Sequence, residues 1–293
     1  MTPPSGSRYR PDGAPDYSHR FHAGNVGDVW KHCVLSEILT RLDGGGTSVT
    51  YLDTHAGEGR YALAATGEWH EGIGRLWSAP PHTVDDAVGR YVALCRRLGA
   101  GSDRPVRYPG SPALACATLG PTATIRLWEH DAVACEALRT IVGDDARVRV
   151  TCDDGLAHLD AAVRDAEPAG GAVVVLIDPP WLQKPDWIAV PDALARAVAA
   201  STRATFLLWY PVKSLTRPNA MIARLAAAGV AGTIAELVTT PLDQQRNRLN
   251  GSGLVLVRPP DGALSAVAAA APRVGAVCAT QGRAWSLRMQ SWG

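Results

Sequence analysis

The hydrophobic positions of the chain form two alternating patterns between residues 48 and 257. Short runs rich in Val, Ile and Leu are typical of buried β-strands, whereas longer segments with apolar positions three and four apart are typical of amphipathic helices. Strands are predicted at 48–53, 123–128, 148–151, 172–178, 205–210, 233–239 and 253–257. Helices are predicted at 28–42, 85–98, 191–200 and 214–228. Three more are predicted, one that begins after residue 109, one that ends near 142 and one that ends near 164. This alternation predicts a doubly wound, mostly parallel α/β sheet.

The alternation is interrupted between residues 61 and 108, where short pieces with Gly, Trp and Pro precede one helix. We therefore predict a helical insertion subdomain at 61–108 within a core domain made of 17–60 and 109–293. Residues 1–16 are rich in Pro, Gly, Ser and Arg, a composition that predicts a disordered N-terminal extension.

Composition narrows the class of protein. The chain has 293 residues, of which 46% are hydrophobic and 19% charged, as in soluble globular proteins. No apolar run is long enough to span a membrane, and no secretory signal precedes the core. The six cysteines are scattered without a Cys-x-x-Cys pair. Reduced thiols in a cytoplasmic protein are expected, rather than zinc ligands or disulfides.

The charge of the chain is unevenly distributed. The net charge is only +1, yet from residue 203 onward ten Lys and Arg stand against three Asp and Glu, a net +7. A basic C-terminal third could face a phosphate backbone. The alternative is an Arg-rich surface that is merely solvated.

The predicted strand at 172–178 ends in the motif Asp178-Pro179-Pro180-Trp181. The two prolines have no backbone N–H and end the strand pairing. Asp178 is then held at the carboxyl end of a central strand, where open α/β sheets bind ligands. An acceptor beside a flat aromatic face suits a planar amine. The alternative is that Asp178 caps the next helix and Trp181 belongs to the core.

Acidic residues also follow three other predicted strands. Asp53 is followed by Gly57 and Gly59, where glycines allow close approach of the backbone to a ligand. Glu129 is suited to binding two ribose hydroxyls, and Asp154, before Gly155, to binding an exocyclic amine. The spacing is not that of a dinucleotide site, and the glycine turn carries no basic residue. Together these residues predict a nucleoside-bearing ligand without phosphates, S-adenosylmethionine. The alternative is four unrelated helix caps.

Several strings of the chain resemble a known family. The segment from Asp53 to Gly59 resembles the glycine motif of amino-methyltransferases, and Asp178-Pro179-Pro180-Trp181 resembles their catalytic motif. More narrowly, the chain resembles the RlmJ family of 23S rRNA adenine-N6 methyltransferases. The supporting strings are Tyr17-x-His19-x-Phe21-His22-Ala23-Gly24-Asn25, Asp28-Val29-x-Lys31-His32, Tyr51-Leu52-Asp53-Thr54-His55-Ala56-Gly57-x-Gly59-Arg60-Tyr61, Tyr108-Pro109-Gly110-Ser111-Pro112, Leu176-Ile177-Asp178-Pro179-Pro180 and Leu208-Trp209-Tyr210-Pro211-Val212.

The resemblance implies a seven-stranded, Rossmann-like class I methyltransferase fold with a small helical insertion, acting as a monomer on 23S ribosomal RNA. It implies that these residues line or adjoin the S-adenosylmethionine site: Lys31, His32, His55, Gly57, Ser111, Glu129, Asp154, Gly155 and Asp178. It also implies that Tyr17 and His19 contact the substrate RNA. In the expected reaction, Asp178 and the Pro179 carbonyl accept hydrogen bonds from N6 of a flipped-out adenosine, and Trp181 stacks on the base.

The chain departs from the family at three places. Trp181 replaces the usual Tyr, about a dozen extra residues precede Tyr17, and the loop at 246–250 differs. Rival functions are methylation of DNA adenine or of another amine, and a catalytically silent RNA-binding protein on the same scaffold. A metal site is not expected, because the histidines have no Cys or carboxylate at ligand spacing.

Overall fold

The computed structural model describes residues 19–79, 86–99, 101, 103–167, 170–244, 249–280 and 284–293, with side chains from 21 onward. The extension predicted at 1–16 and part of the 246–250 loop lie outside these ranges. No helix of the described residues is long and apolar enough to cross a membrane.

A large mixed sheet forms the centre of the molecule. Its strands are β1 (Val49–Asp53), β4 (Thr124–Trp128), β5 (Val148–Thr151), β6 (Ala172–Ile177), β7 (Thr205–Val212), β8 (Gly232–Val238), β9 (Gly251–Val257) and β10 (Ser286–Trp292). A separate two-stranded sheet consists of β2 (Arg60–Ala62) and β3 (Arg107–Pro109). The strand order of the large sheet is β10-β8-β9-β7-β6-β1-β4-β5. Five neighbouring strands of this order, β7, β6, β1, β4 and β5, are mutually parallel, and β9 is antiparallel to both of its neighbours.

The predicted count of seven strands is wrong, because the large sheet has eight. Within the large sheet, the strand that was not predicted is β10, which pairs antiparallel with β8 along the edge. It is mostly half-buried or exposed, so it lacks the apolar run by which the other strands were predicted. Its attachment includes an ion pair in which the Arg288 guanidinium donates two hydrogen bonds to Glu236, at 2.5 and 2.6 Å.

We expect Arg288→Ala to weaken the edge of the sheet strongly. Only 1% of the Glu236 side chain is exposed, and its remaining side-chain partner is the Tyr210 hydroxyl at 2.7 Å. Removing the guanidinium leaves a buried carboxylate without its cation, which costs about 3 kcal/mol of unfolding free energy. Chemical denaturation measures the loss. The control is Arg224→Ala, which breaks a more exposed ion pair with Asp192 and is expected to cost under about 1 kcal/mol.

The helices that flank the sheet are α1 (His19–His22), α2 (Val26–Asp43), α3 (Ile73–Ser78), α4 (Ala87–Gly99), α5 (Ser111–Thr118), α6 (Ala132–Val142), α7 (Gly155–Ala166), α8 (Asp186–Ala199), α9 (Thr216–Ala227) and α10 (Ala263–Cys278). Helix α8 begins five residues before its predicted start and contains Pro191. Helix α10 was not predicted. Its alanine-rich sequence gives little apolar-polar contrast, and Pro272 lies inside it, where proline usually ends a helix.

The stretch predicted as an insertion contains β2, a 3-10 turn at Glu68–His70, α3, α4 and β3. Its buried side chains, among them Trp69, Leu76 and Tyr91, belong to the same hydrophobic core as α2 and α10. The N-terminal elements contact the stretch through Glu68, whose carboxylate accepts from Asn25 Nδ2 at 2.9 Å and lies 2.9 Å from His22 Nδ1. The division into a core and an insertion stays a prediction.

The expectation that all six cysteines are reduced is wrong for one pair. Cys135 on α6 and Cys152 after β5 are joined by a disulfide, with Cα atoms 5.8 Å apart. Their separation of 17 residues forms no recognisable motif, and only the packing of α6 beside β5 brings them together. Cys33, Cys95, Cys116 and Cys278 are free.

The sheet order brings the predicted site residues to one edge. Strands β6, β1, β4 and β5 are consecutive parallel neighbours. Their carboxyl ends therefore lie side by side, with Asp178, Asp53, Glu129 and Asp154 at or just after them. This is the edge at which parallel α/β sheets bind ligands.

Candidate active site

Asp178 is held by a lysine from the first long helix. Lys31 on α2 donates to Asp178 Oδ2 at 2.5 Å and to Asp28 Oδ1 at 2.8 Å. The exposed fractions are 3% for the Lys31 side chain, 4% for Asp28 and 14% for Asp178. Burial alone lowers the pKa of Lys31, but attraction to Asp178 and then Asp28 outweighs it and raises the pKa above its usual value. The lysine is therefore a permanent cation, and it fixes one oxygen of Asp178.

Two tryptophans adjoin this cluster. The Lys31 ammonium lies 5.3 Å from the ring centroid of Trp209, a cation–π contact. Trp181 is only 7% exposed, and its Nε1–H donates to the Trp209 carbonyl at 3.0 Å. Its ring lies 4.3 Å from that of Trp187, and its φ of 52° is in the left-handed region. In this arrangement Trp181 is packed inward, so stacking on a base would require it to exchange its contact with Trp187.

Asp53 lies at the end of β1 with its carboxylate fully buried. It accepts hydrogen bonds from Tyr51 OH at 2.8 Å, Ser111 Oγ at 2.7 Å and the backbone N–H of His55 at 3.2 Å. All three donors are neutral. Burial raises the pKa of Asp53 to about 6, although the hydrogen bonds from Ser111 and Tyr51 act in the opposite direction. A cation placed beside Asp53 would relieve the cost of keeping it ionised.

The glycine turn after β1 is tied to the end of β4. Gly57 has a φ of 61°, which favours glycine, and an added Cβ would lie 2.1 Å from the Tyr61 hydroxyl. The Gly57 N–H donates to Glu129 Oε2 at 2.8 Å, and the Asp131 N–H donates to Glu129 Oε1 at 2.8 Å. Glu129 therefore orders the turn, and each carboxylate oxygen retains acceptor capacity for a ligand.

The end of β5 is joined closely to the end of β1. Asp154 is exposed and caps α7, accepting from Leu156 N at 2.9 Å. Gly155 packs against Thr54 so tightly that an added Cβ would lie 2.4 Å from its carbonyl oxygen. Asp154 thus acts as a helix cap, as the alternative interpretation proposed, while its position at the ligand-binding edge keeps it available to a ligand.

The two predicted histidines are in different settings. His32 is buried, and its Nδ1 lies 2.7 Å from the Tyr108 hydroxyl, which lies 2.9 Å from the Tyr91 hydroxyl on α4. His55 Nδ1 lies 2.8 Å from Thr54 Oγ1. Desolvation lowers the pKa of His55 to about 4, so its imidazole is neutral at physiological pH.

The structure brings most of the predicted residues to one sheet edge. Pro179 is buried directly beyond Asp178. Tyr17 lies outside the described residues, and only the backbone of His19 is described, at the start of α1. Sequence reasoning assigned no site role to Asp28, Tyr51, Tyr108 or Trp209. Asp28 stands three residues before Lys31 on one helix, a spacing that places the two side chains together and could have revealed it.

The charges of this edge favour a cationic ligand. Asp53, Glu129, Asp154 and Asp178 are four of the acids at this edge, and Lys31 already has two carboxylate partners. The Gly57 turn supplies backbone atoms for close approach, and Asp53 is ionised only at a desolvation cost. The arrangement suits a ligand with positive charge and polar hydroxyl groups.

The sequence matches a family model and two relatives of known name. A family model, RsmJ, described as "Ribosomal RNA large subunit methyltransferase D, RlmJ", matches residues 46–289. Ribosomal RNA large subunit methyltransferase J of Haemophilus influenzae is 36% identical over 250 residues, covering 83% of this chain and 87% of that protein. The Escherichia coli protein of the same name is 34% identical over the same length and coverage.

A solved structure shares the fold. The crystal structure of protein LPL1258 from Legionella pneumophila superposes with a TM-score of 0.82 at 24% identity, covering 92% of this chain and 98% of that one. The fold is thus that of a known protein over nearly its whole length. The family match and the two relatives show that the chain belongs to the RlmJ family of ribosomal RNA large subunit methyltransferases.

Proposed function

We propose that the protein transfers a methyl group from S-adenosylmethionine to N6 of a specific adenosine in 23S ribosomal RNA. The observation that carries the proposal is the position of Asp178. Its carboxylate stands at the end of β6, is 14% exposed, and has one oxygen fixed by buried Lys31. A fixed, ionised acceptor beside a cation-binding edge is what an exocyclic amine needs as it approaches a methyl donor.

The residues of the edge fit S-adenosylmethionine, which carries an ammonium and a sulfonium charge. Bound near the turn after β1, the ammonium would offset the charge of buried Asp53, whose hydrogen-bond donors among the described residues are neutral. Glu129 would accept from the ribose hydroxyls while it orders the Gly57 turn. Asp154 and Gly155 would lie at the adenine, and His32, His55 and Ser111 would complete the lining. When bound, the group supplies an electrophilic methyl on sulfur.

The architecture supports assignment to the Rossmann-like class I methyltransferases. Without β10 the sheet has seven strands in the order β8-β9-β7-β6-β1-β4-β5, of which only β9 is antiparallel. The four acids lie at consecutive parallel strand ends, as the ligand-binding rule for such sheets requires. Strand β10 is then an addition at the edge farthest from β5.

Asp178 acts by accepting a hydrogen bond from the N6 amine. Lys31 holds Oδ2, and this ion pair keeps the carboxylate in place while it accepts from the amine. The backbone carbonyl of Pro179 accepts the second N6 hydrogen, and the two acceptors orient the nitrogen lone pair toward the methyl. The rate enhancement comes from this orientation and from fixed charges around the reacting centre. The proton passes to the Asp178 carboxylate and then to water, and it leaves only after methylation has made the nitrogen acidic, so a strong base is not required.

The target adenosine must leave its stack to reach Asp178, at a cost of a few kcal/mol. Tyr17 and His19 are proposed to contact the RNA at the rim. Trp181 would stack on the base after turning from Trp187, and the left-handed φ of 52° at Trp181 is the kind of strained conformation found at functional loops.

The test is methylation of ribosomal RNA fragments with radiolabelled S-adenosylmethionine, followed by mass mapping. We expect label at N6 of a single adenosine in 23S RNA. Label on DNA of the same sequence and none on RNA would contradict the proposal. Calorimetric titration with S-adenosylmethionine tests the cofactor separately, and a protein without affinity for it would support a silent RNA-binding scaffold.

We expect Tyr108→Phe to weaken S-adenosylmethionine binding about 5- to 10-fold, because it removes one buried hydrogen bond, of about 1 kcal/mol, that helps to hold His32 in place. Tyr91→Phe is the matched control, because it removes another buried hydroxyl that lies one hydrogen bond farther from His32. Calorimetry compares the two dissociation constants. Equal effects of the two variants would show that Tyr108 does not act through His32.

A further inference from the structure

A ridge of cationic and apolar side chains lies beside the catalytic edge. It is formed by the two segments that follow the neighbouring parallel strands β6 and β7, each consisting of a loop and the first turn of the next helix, α8 or α9. Both segments therefore leave the sheet at the same edge as Asp178. We define the ridge as Leu182, Lys184, Ile188, Lys213, Leu215 and Arg217. All six side chains are exposed, and the exposed fractions of Leu182, Ile188 and Leu215 are 43%, 53% and 36%.

The two segments meet at Trp187, in the first turn of α8. The Arg217 guanidinium lies 5.9 Å from the Trp187 ring centroid, and Trp187 contacts Trp181 of the catalytic motif. The ridge is thus continuous with the Asp178-Pro179-Pro180-Trp181 motif. Trp187 Nε1 is buried and has no acceptor among the described residues, an unusual state for a buried donor.

The positive charges of the ridge have no acidic partner in the part of the chain that the structure describes. No ion pair between described residues involves Lys184, Lys213 or Arg217. The acid within the ridge segments, Asp186, accepts from the backbone N–H of Gln183 at 2.8 Å. Solvated surface cations usually need no partner, but large aliphatic side chains exposed between them are the mark of an interaction surface.

We propose that the ridge binds the single strand of RNA that flanks the target adenosine. This inference rests on the proposed function, because that function places the adenosine at Asp178. Lys184, Lys213 and Arg217 contact the phosphates, and the three aliphatic side chains contact the bases next to the flipped nucleotide. Charge complementarity with phosphate and continuity with the Asp178 motif favour RNA over an apolar partner.

The test compares two triple variants of equal charge change. Lys184→Gln/Lys213→Gln/Arg217→Gln removes the cations of the ridge. Arg139→Gln/Arg149→Gln/Arg164→Gln removes three exposed cations from the terminal strand β5 and from α6 and α7, the helices before and after it. Fluorescence anisotropy with a labelled single-stranded 23S fragment gives the dissociation constant over a range of salt concentrations, and methyl-transfer kinetics give kcat.

We expect the ridge variant to bind RNA roughly 10- to 100-fold more weakly at 0.1 M salt, with a salt slope smaller by about 2 for three lost contacts to a single strand. Its kcat at saturating RNA and its affinity for S-adenosylmethionine stay at wild-type values. The control keeps wild-type RNA affinity and slope. Leu182→Ser/Ile188→Ser weakens RNA binding with an unchanged slope.

The outcomes separate the two proposals. A ridge variant that binds RNA like the control overturns the ridge, while methylation by the wild type still supports the function. A wild type that binds RNA through the ridge but transfers no methyl group overturns the function alone. A wild type without affinity for RNA overturns both.

Discussion

Asp178→Ala is expected to lower kcat for methyl transfer by at least about 10³-fold while the protein stays folded. The substitution removes the fixed acceptor that orients the N6 amine, and loss of one such group at a reacting centre costs about this much. Lys31 keeps its bond to Asp28 at 2.8 Å, so the fold retains a paired cation at this position. Single-turnover methylation of the RNA fragment measures the effect, and thermal unfolding verifies the fold.

Two further substitutions show which property of Asp178 matters. Asp178→Asn keeps an oxygen that accepts from N6 but removes the charge, so we expect an intermediate loss of roughly 10- to 100-fold. Asp186→Ala removes an acid at the start of α8 whose side chain, among the described residues, accepts from the Gln183 backbone N–H. It is expected to keep near wild-type activity. A folded Asp178→Ala protein with wild-type turnover would overturn the proposed mechanism.

The sequence was informative about the sheet edge because that inference needs only strand order and direction. Alternating strands and helices imply a parallel sheet, and parallel strands end at one edge, so Asp53, Glu129, Asp154 and Asp178 could be grouped before any geometry was known. The described structure confirms that their strands are consecutive neighbours.

Contacts between distant parts of the chain could not be predicted in the same way. The bond from Lys31 to Asp178 spans 147 residues, and no periodicity in either segment signals it. The orientation of the Trp181 ring could not be predicted either. Its place after Asp178-Pro179-Pro180 suggests a face on which a base can stack, but the ring is packed against Trp187. Strand β10 was missed because an edge strand needs no apolar run when an ion pair such as Arg288–Glu236 helps to hold it.

Lys31→Met is expected to reduce the unfolding free energy by about 3–5 kcal/mol at pH 7, because it removes the cation shared by two largely buried carboxylates. Asp28 and Asp178 are only 4% and 14% exposed, so water cannot replace the ammonium fully. Chemical denaturation measures the loss. Asp28→Asn is the control: it leaves Lys31 paired with Asp178, and we expect it to cost less.

The pH dependence of this loss distinguishes charge from packing. In the wild type, the folded pKa of Lys31 is raised, so its contribution is fully present below its unfolded pKa of about 10.4 and is lost only as the pH rises through the folded value. In Lys31→Met, burial and mutual repulsion raise the folded pKa values of the two aspartates above about 3.9. Their protonation therefore restores stability as the pH falls from 7 toward 4. A loss that is the same at pH 4 and pH 7 would show that packing of the lysine stem, rather than its charge, supports the site.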